Sequence, residues 1–345
     1  MIKQKQMRIP DKQRILDAIN HVERKDIPLL EIDPDMEIVN QVLGKNLPYE
    51  LHPFELDAEN NIELNIRMGN DMLYFSHVWR TGRVQVKDSD GRLHYKDGRI
   101  KSRQDFDQLE FPDTDKLEQR LESTCKGLQG TDMGLMCGAQ TAAFTAMTAM
   151  GYNDFLFNTL AETDMVLDLI KTIHEYCLRE MELYLKYPVD IMKVGSGIIT
   201  TTGPMVSWEQ VEDLETSFIR EQIEIIRGAG KPVFFHIDGK IDNLVQDFIE
   251  MGVDVLNPID PSGAVQNIYE IKSQYGDRIT LSGNINIDTV LKDGTPEQVR
   301  EDVIEHMEKL GKGGGYIVSS SHNLHELIPI ENFYAMRDTV MEYSL

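Results

Sequence analysis

The chain has 345 residues, with 35 basic and 58 acidic side chains and a formal net charge of −23 at pH 7. That balance argues against nucleic acid and anionic membrane surfaces as partners, because binding phosphate needs clustered Lys and Arg. Three cysteines without Cys-x-x-Cys spacing give no disulfide framework. The N-terminus lacks a signal-peptide core, and no apolar run approaches membrane-spanning length, so a reducing cytoplasm is the expected compartment.

Short apolar or β-branched runs recur along the chain at Pro28–Ile32, Met72–Ser76, Gly134–Gly138, Asp190–Val194, Pro232–Ile237, Val253–Asn257, Arg278–Ser282 and Gly315–Ser319. Amphipathic stretches separate them, most clearly the expected helices Trp208–Ala229 and Lys240–Met251. Strand and helix in alternation imply parallel strands joined by right-handed crossovers. Eight such units predict a single (β/α)₈ barrel spanning 1–345 with an N-terminal helical extension; an open doubly wound sheet is the alternative.

Local chemistry fixes several boundaries. Ser207 and Gln210 have capping-box spacing, and Thr295-Pro296-Glu297 reads as an N-cap, a first-turn proline and a first-turn acid. Between 77 and 112 the pattern alternates around Asp90-Gly91 and Asp97-Gly98, which is hairpin chemistry, so a β-insertion is expected there. The glycine run Gly311–Gly315 opens a strand instead of a helix and reads as a tight turn, not a phosphate cradle.

Functional side chains of such a barrel stand at the carboxyl ends of its strands. Those ends carry Asp33, His77, Cys137 to Gln140, Ser196, His236 with Asp238, Asn257 with Asp260, Asn284, and Ser319 to Asn323. His236 and Asp238 leave an apolar strand two residues apart, so both face one side. They are competent zinc ligands, with His322 as the third; the alternative is a His–Asp hydrogen bond that fixes a substrate-binding imidazole. Cys137, inside GLMCGA, reads as a buried small hydrophobe, and the methionines of FTAMTAMGYNDFLF as core or pocket wall.

The stretches 138–152 (GAQTAAFTAMTAMGY), 203–214 (GPMVSWEQVEDL), 234–261 (FFHIDGKIDNLVQDFIEMGVDVLNPIDP), 279–286 (ITLSGNIN) and 313–324 (GGGYIVSSSHNL) together resemble the uroporphyrinogen decarboxylase superfamily. The resemblance implies a (β/α)₈ barrel, and dimers are common in the family. It also implies one of two activities: porphyrinogen decarboxylation, or methyl transfer between a small molecule and the cobalt of a corrinoid carrier protein.

Residue by residue the decarboxylase pattern is lost. An Arg-rich motif near the first strand is replaced by the acidic PLLEIDPDMEI. The key aspartate after a Phe-Ser pair is replaced by His77, and a pocket tyrosine falls at Ala146; His322 alone is kept. Zinc-dependent methyltransferases have His-x-Cys after the fifth strand and Cys after the eighth, positions that are His236, Asp238 and His322 here. The resemblance therefore points to a corrinoid-dependent methyltransferase, with zinc on those three residues and the corrinoid supplied by a partner, since the chain has no Asp-x-His-x-x-Gly motif. On this reading His236, His322 and His77 are catalytic, and Asn257, Asn284, Gln140 and Ser196 bind substrate. The harder ligand set favours an oxygen-bound methyl donor. A decarboxylase for a less acidic tetrapyrrole and a non-catalytic tetrapyrrole- or corrinoid-binding barrel are the alternatives.

Overall fold

The computed structural model describes residues 8–241, 243–261, 267–343 and 345. Asp242, within the expected helix Lys240–Met251, and residues 1–7 lie outside the described residues. The strands are β1 (Met72–Phe75), β2 (Arg83–Lys87), β3 (Leu93–Gly98), β4 (Gly134–Gly138), β5 (Ile191–Gly195), β6 (Ile199–Thr200), β7 (Gly203–Pro204), β8 (Val233–Ile237), β9 (Val255–Pro258), β10 (Thr280–Ser282) and β11 (Tyr316–Ile317). Seven of them form a curled sheet in the order β1-β4-β5-β8-β9-β10-β11, and every pair is parallel.

The first expected strand fills the remaining gap. Val318 N–H donates to the Pro28 carbonyl at 2.9 Å and Leu30 N–H to Val318 at 3.1 Å, while Asp71 N–H donates to Leu29 at 3.1 Å. Segment 28–31 thus joins β11 to β1, as the eighth strand of a (β/α)₈ barrel must. It registers as a single bridge, Leu29 to Val318. On the β1 side the Asn70 side-chain amide accepts from Glu31 N–H at 2.8 Å and donates to the Glu31 carbonyl at 2.9 Å, replacing backbone pairing, and on the β11 side Ser320 N–H goes to the Glu31 carboxylate.

Side chains alternate across each strand, so one set points into the barrel and the other towards the helices. The inward set forms a layer of Leu30, Met72, Met136, Ile191, Phe234, Val255 and Ile317, all nearly solvent-free. The N-terminal extension, helix Lys12–Ile19, plugs this end with Ile15 and Ala18. Beside it the fully buried Asp71 carboxylate receives Arg14 at 2.6 Å and Arg8 at 3.0 Å. Removing one partner from such an ion pair costs more than the pair contributes.

Three expectations need correction. The stretch Trp208–Ala229 starts with its capping box at Ser207 and Gln210, yet it is not one regular helix. Residues Glu212–Thr216 widen into a π-turn before Ser217–Gly228 continues. The wide turn aims Glu215 inward, where Ser196 Oγ (2.5 Å) and Gly197 N–H (2.9 Å) donate to it. The next expected helix begins only at Val245, because Lys240 N–H is held by the Thr200 carbonyl of the small β6–β7 hairpin. In the β2–β3 insertion, Asp90-Gly91 does form the turn, whereas Asp97-Gly98 ends β3. A Cβ on Gly98 would meet the Met150 backbone at 2.2 Å, so that glycine permits close packing, not a turn. In the 311–315 run, Gly313, Gly314 and Gly315 all take positive φ, the tight turn expected.

Candidate active site

Two residues further along the inward faces the chemistry changes. Ile32, Tyr74, Lys193, His236, Asn257 and Ser319 line a cavity of about 350 Å³ at the carboxyl ends of the strands, together with Glu31, Asp33, Gln140, Ser196, Asp238, Ser320, His322 and Asn323. Gly138 helps to open it: a Cβ there would lie 2.0 Å from the Tyr74 hydroxyl. Phe54, Phe144 and Ile199 supply apolar wall. The volume sits at the small end of the range for ligand sites, ~300–1,000 Å³.

His236, Asp238 and His322 converge on one carboxylate. His236 Nε2 lies 3.4 Å and His322 Nε2 3.6 Å from Asp238 Oδ2. The tautomer of His236 follows from its other neighbour. Asn257 donates its amide hydrogens to the carbonyl and hydroxyl of Ser282, both at 3.2 Å, so Asn257 Oδ1 faces His236 Nδ1 at 2.7 Å and accepts its hydrogen. Nδ1 thus carries a hydrogen, and Nε2 is the nitrogen turned to Asp238 and the cavity: it donates to the carboxylate when the ring is protonated and offers a lone pair when the ring is neutral. Burial pushes the Asp238 carboxyl up, but the His236 hydrogen bond and the charges of His236, His322 and Lys193 outweigh it and hold it at about 2.

Two imidazoles and a carboxylate suit zinc, and Asp238 Oδ1 is buried with no hydrogen-bond partner among the described residues. No group of three or more His, Cys, Asp or Glu among the described residues is set to hold a metal ion as it stands. His322, with half its side chain exposed, is the ligand free to adjust.

The other expected residues divide. Gln140 lines the cavity and donates to the His77 carbonyl at 2.7 Å, and Ser196 lines it while bonded to Glu215. Asn257 orients His236 instead of facing substrate with a free amide. His77 does not line the cavity; its Nδ1 lies 2.7 Å from the fully buried Glu180, which also receives Trp79 Nε1 at 3.4 Å. Asn284 is likewise spent on structure, bonded to the Ile259 carbonyl at 2.6 Å and His306 at 3.2 Å. Cys137 is fully buried on the outward face of β4.

Three ionisable residues were missed. Glu31 reaches the cavity from the closing segment, where Ser320 N–H and Oγ bind it at 2.5 and 2.6 Å. Burial, only partly offset by those bonds, pushes its carboxyl up to about 7. Glu215 is raised to about 7 by the same cause. Lys193 points inward from β5, and loss of water brings its ammonium down to about 8 against the opposing pull of Asp33 and Asp238. Lys193 and Glu31 had a signal, a charge inside an apolar strand run; Glu215 looks like any helix-surface acid.

A parallel barrel whose carboxyl-end cavity gathers histidines, carboxylates and a desolvated lysine has the architecture of a (β/α)₈ enzyme. The uroporphyrinogen decarboxylase (URO-D) family profile matches residues 83–343, and the chain belongs to that family. It is 35% identical over 74 residues to uroporphyrinogen decarboxylase of Psychromonas ingrahamii, covering 21% of this chain and 20% of that one. It is 23% identical over 248 residues to the Neisseria gonorrhoeae decarboxylase, covering 70% and 68%. In structure it matches a methyltransferase from Methanosarcina mazei with a TM-score of 0.73 at 14% identity, over 96% of this chain and 98% of the other. That likeness establishes the fold. No helix among the described residues is long and apolar enough to cross a membrane.

Proposed function

We propose that this protein is a corrinoid-dependent methyltransferase that moves a methyl group from an oxygen-bound donor to the cobalt of a separate corrinoid protein. The observation that carries this reading is the convergence of His236 Nε2 and His322 Nε2 on Asp238 Oδ2 inside a small cavity. These are the positions at which zinc-dependent methyltransferases of the superfamily carry His, Cys and Cys. The cavity also favours this reading over a polycarboxylate tetrapyrrole, because Glu31, Asp33 and Asp238 line it where arginines would be needed.

His236, Asp238 and His322 would hold a zinc ion, which when bound supplies a Lewis acid for an oxygen ligand. Asn257 fixes the imidazole of His236, so that Nε2 is presented without rotamer search. Phe54, Phe144 and Ile199 exclude water from the methyl carbon. The open end of the cavity faces the strand carboxyl ends, where a partner's corrinoid would approach.

The test is methyl transfer from methanol and methyl ethers to a panel of cobalt(I) corrinoid proteins, with elemental analysis of the purified chain. Transfer from oxygen donors, lost together with bound zinc in His236→Ala, supports the reading. Decarboxylation of a tetrapyrrole without metal, or no transfer from any donor, overturns it.

A further inference from the structure

The cavity has a second centre on β5, the strand paired with the one that carries His236. Lys193 projects inward from β5, two residues above Ile191 in the sealed apolar layer. Its ammonium lies 5.6 Å from the centre of the Tyr74 ring. Among the described residues it makes no hydrogen bond and no ion pair. Asp33 and Asp238 lie near enough to be felt electrostatically, but neither reaches ion-pair distance. Most of the other side-chain cations around the barrel are spent: Lys12 is paired with Asp190, Arg80 with Glu55 and Arg92 with Asp35 and Glu37. A desolvated ammonium left without an acceptor is costly in a finished structure unless a ligand supplies one.

Resting on the methyltransferase reading, we propose that Lys193 is a catalytic residue that holds the departing oxygen of the methyl donor and gives it a proton. The cavity geometry suits this role. Lys193, His236 and Asp238 line the same ~350 Å³ space, so one small donor can touch both centres. Asp33 and Asp238 favour the charged amine, and burial disfavours it. The amine is thereby poised near neutral pH, where a proton donor works best. In the step, the carbon–oxygen bond breaks with its electron pair on oxygen, and oxygen takes a proton from Nζ. The electron pair of the partner's cobalt(I) forms the new bond to the methyl carbon, so cobalt is formally oxidised by two electrons. Solvent then reprotonates the neutral amine.

The test uses the full chain and para-nitrophenol, whose phenolate absorbs in the visible, as a stand-in for the leaving group. Bound to the wild-type protein, the phenol should ionise at lower pH than it does free, because the phenolate meets the Lys193 ammonium. In Lys193→Met that shift should shrink and phenolate affinity should fall by about tenfold to a hundredfold. Lys193→Met removes a desolvated charge and keeps the stem, so a melting temperature no lower than wild type verifies folding. Lys193→Arg should restore the ionisation shift, since it restores the charge. It should still transfer methyl groups from unactivated ethers ~100-fold more slowly or worse, because a guanidinium gives up no proton.

The binding arm needs no corrinoid. Lysine-dependent ionisation without any methyl transfer would overturn the proposed function and leave the oxygen site standing. Equal ionisation in wild type and Lys193→Met, or no binding of the phenol, would overturn the role of Lys193. Full methyl transfer by Lys193→Met would do the same.

Discussion

The lower and upper halves of the barrel interior are built by the same strands, two residues apart. Leu30, Met72, Met136, Ile191, Phe234, Val255 and Ile317 form the lower layer, and adding two to each number gives Ile32, Tyr74, Gly138, Lys193, His236, Asn257 and Ser319. The lower set is almost wholly apolar and closed by a helix. The upper set holds a cavity, a cation and an imidazole. Because alternate residues of a strand share a face, one rigid sheet can carry a stability layer and a chemistry layer with no intervening loop. The upper residues gain fixed positions from the layer beneath them, which is what a site needs for preorganisation.

Substitutions should separate the layers. The largest loss of stability is expected from Phe234→Ala in the lower layer, about 3–5 kcal/mol by urea unfolding. His236→Ala, one inward position higher, should cost only about 1–2 kcal/mol, chiefly through the unsatisfied Asn257 oxygen, while abolishing methyl transfer. If the two variants lose stability equally, the layers are not distinct.

Glu31 sharpens the comparison through pH. Its folded pKa of about 7 lies above the ordinary 4.5. The folded state therefore holds more protons between those values, and stability falls as pH rises through the window. The contribution is present in full below pH 4.5 and lost above about 7, worth at most about 3.5 kcal/mol at ~1.4 kcal/mol per unit. Glu31→Gln should lessen the decline in unfolding free energy measured from pH 4 to 8, leaving the share that Glu215 contributes over the same window; an unchanged slope would mean that Glu31 is not a group titrating there.

Gly138→Ala tests the cavity itself. The new methyl group must displace the Tyr74 phenol, costing about 1–3 kcal/mol and weakening ligand binding by calorimetry. The smallest effect belongs outside both layers. Ser207→Ala removes a helix cap and should lower stability by about 1 kcal/mol with methyl-transfer activity unchanged.

Strand order and layer parity were readable because period-2 alternation and capping residues are local signals. Seven of the eight expected runs appear as strands within a few residues of their expected ends. The eighth, 28–32, is extended but paired partly through the Asn70 side chain, a contact that no local pattern encodes. The site was legible where residues two apart announce a shared face, as at His236 and Asp238. It was misread at His77 and Asn284, which stand at strand ends as expected but meet buried helix residues, Glu180 at 103 positions and His306 at 22 positions along the chain. The π-turn that delivers Glu215 was invisible because its residues have ordinary helical composition.

Closure through segment 28–31 has a kinetic consequence. The bonds from Ser320 to the Glu31 carboxylate span 289 positions of the chain. Loop-closure entropy makes so distant a contact late to form and early to break. One wall of the cavity is therefore complete only when the two ends of the chain meet. On gentle denaturation the protein should lose its ability to hold a small molecule before its far-ultraviolet circular dichroism changes, as the seam opens while the remaining strands stay paired.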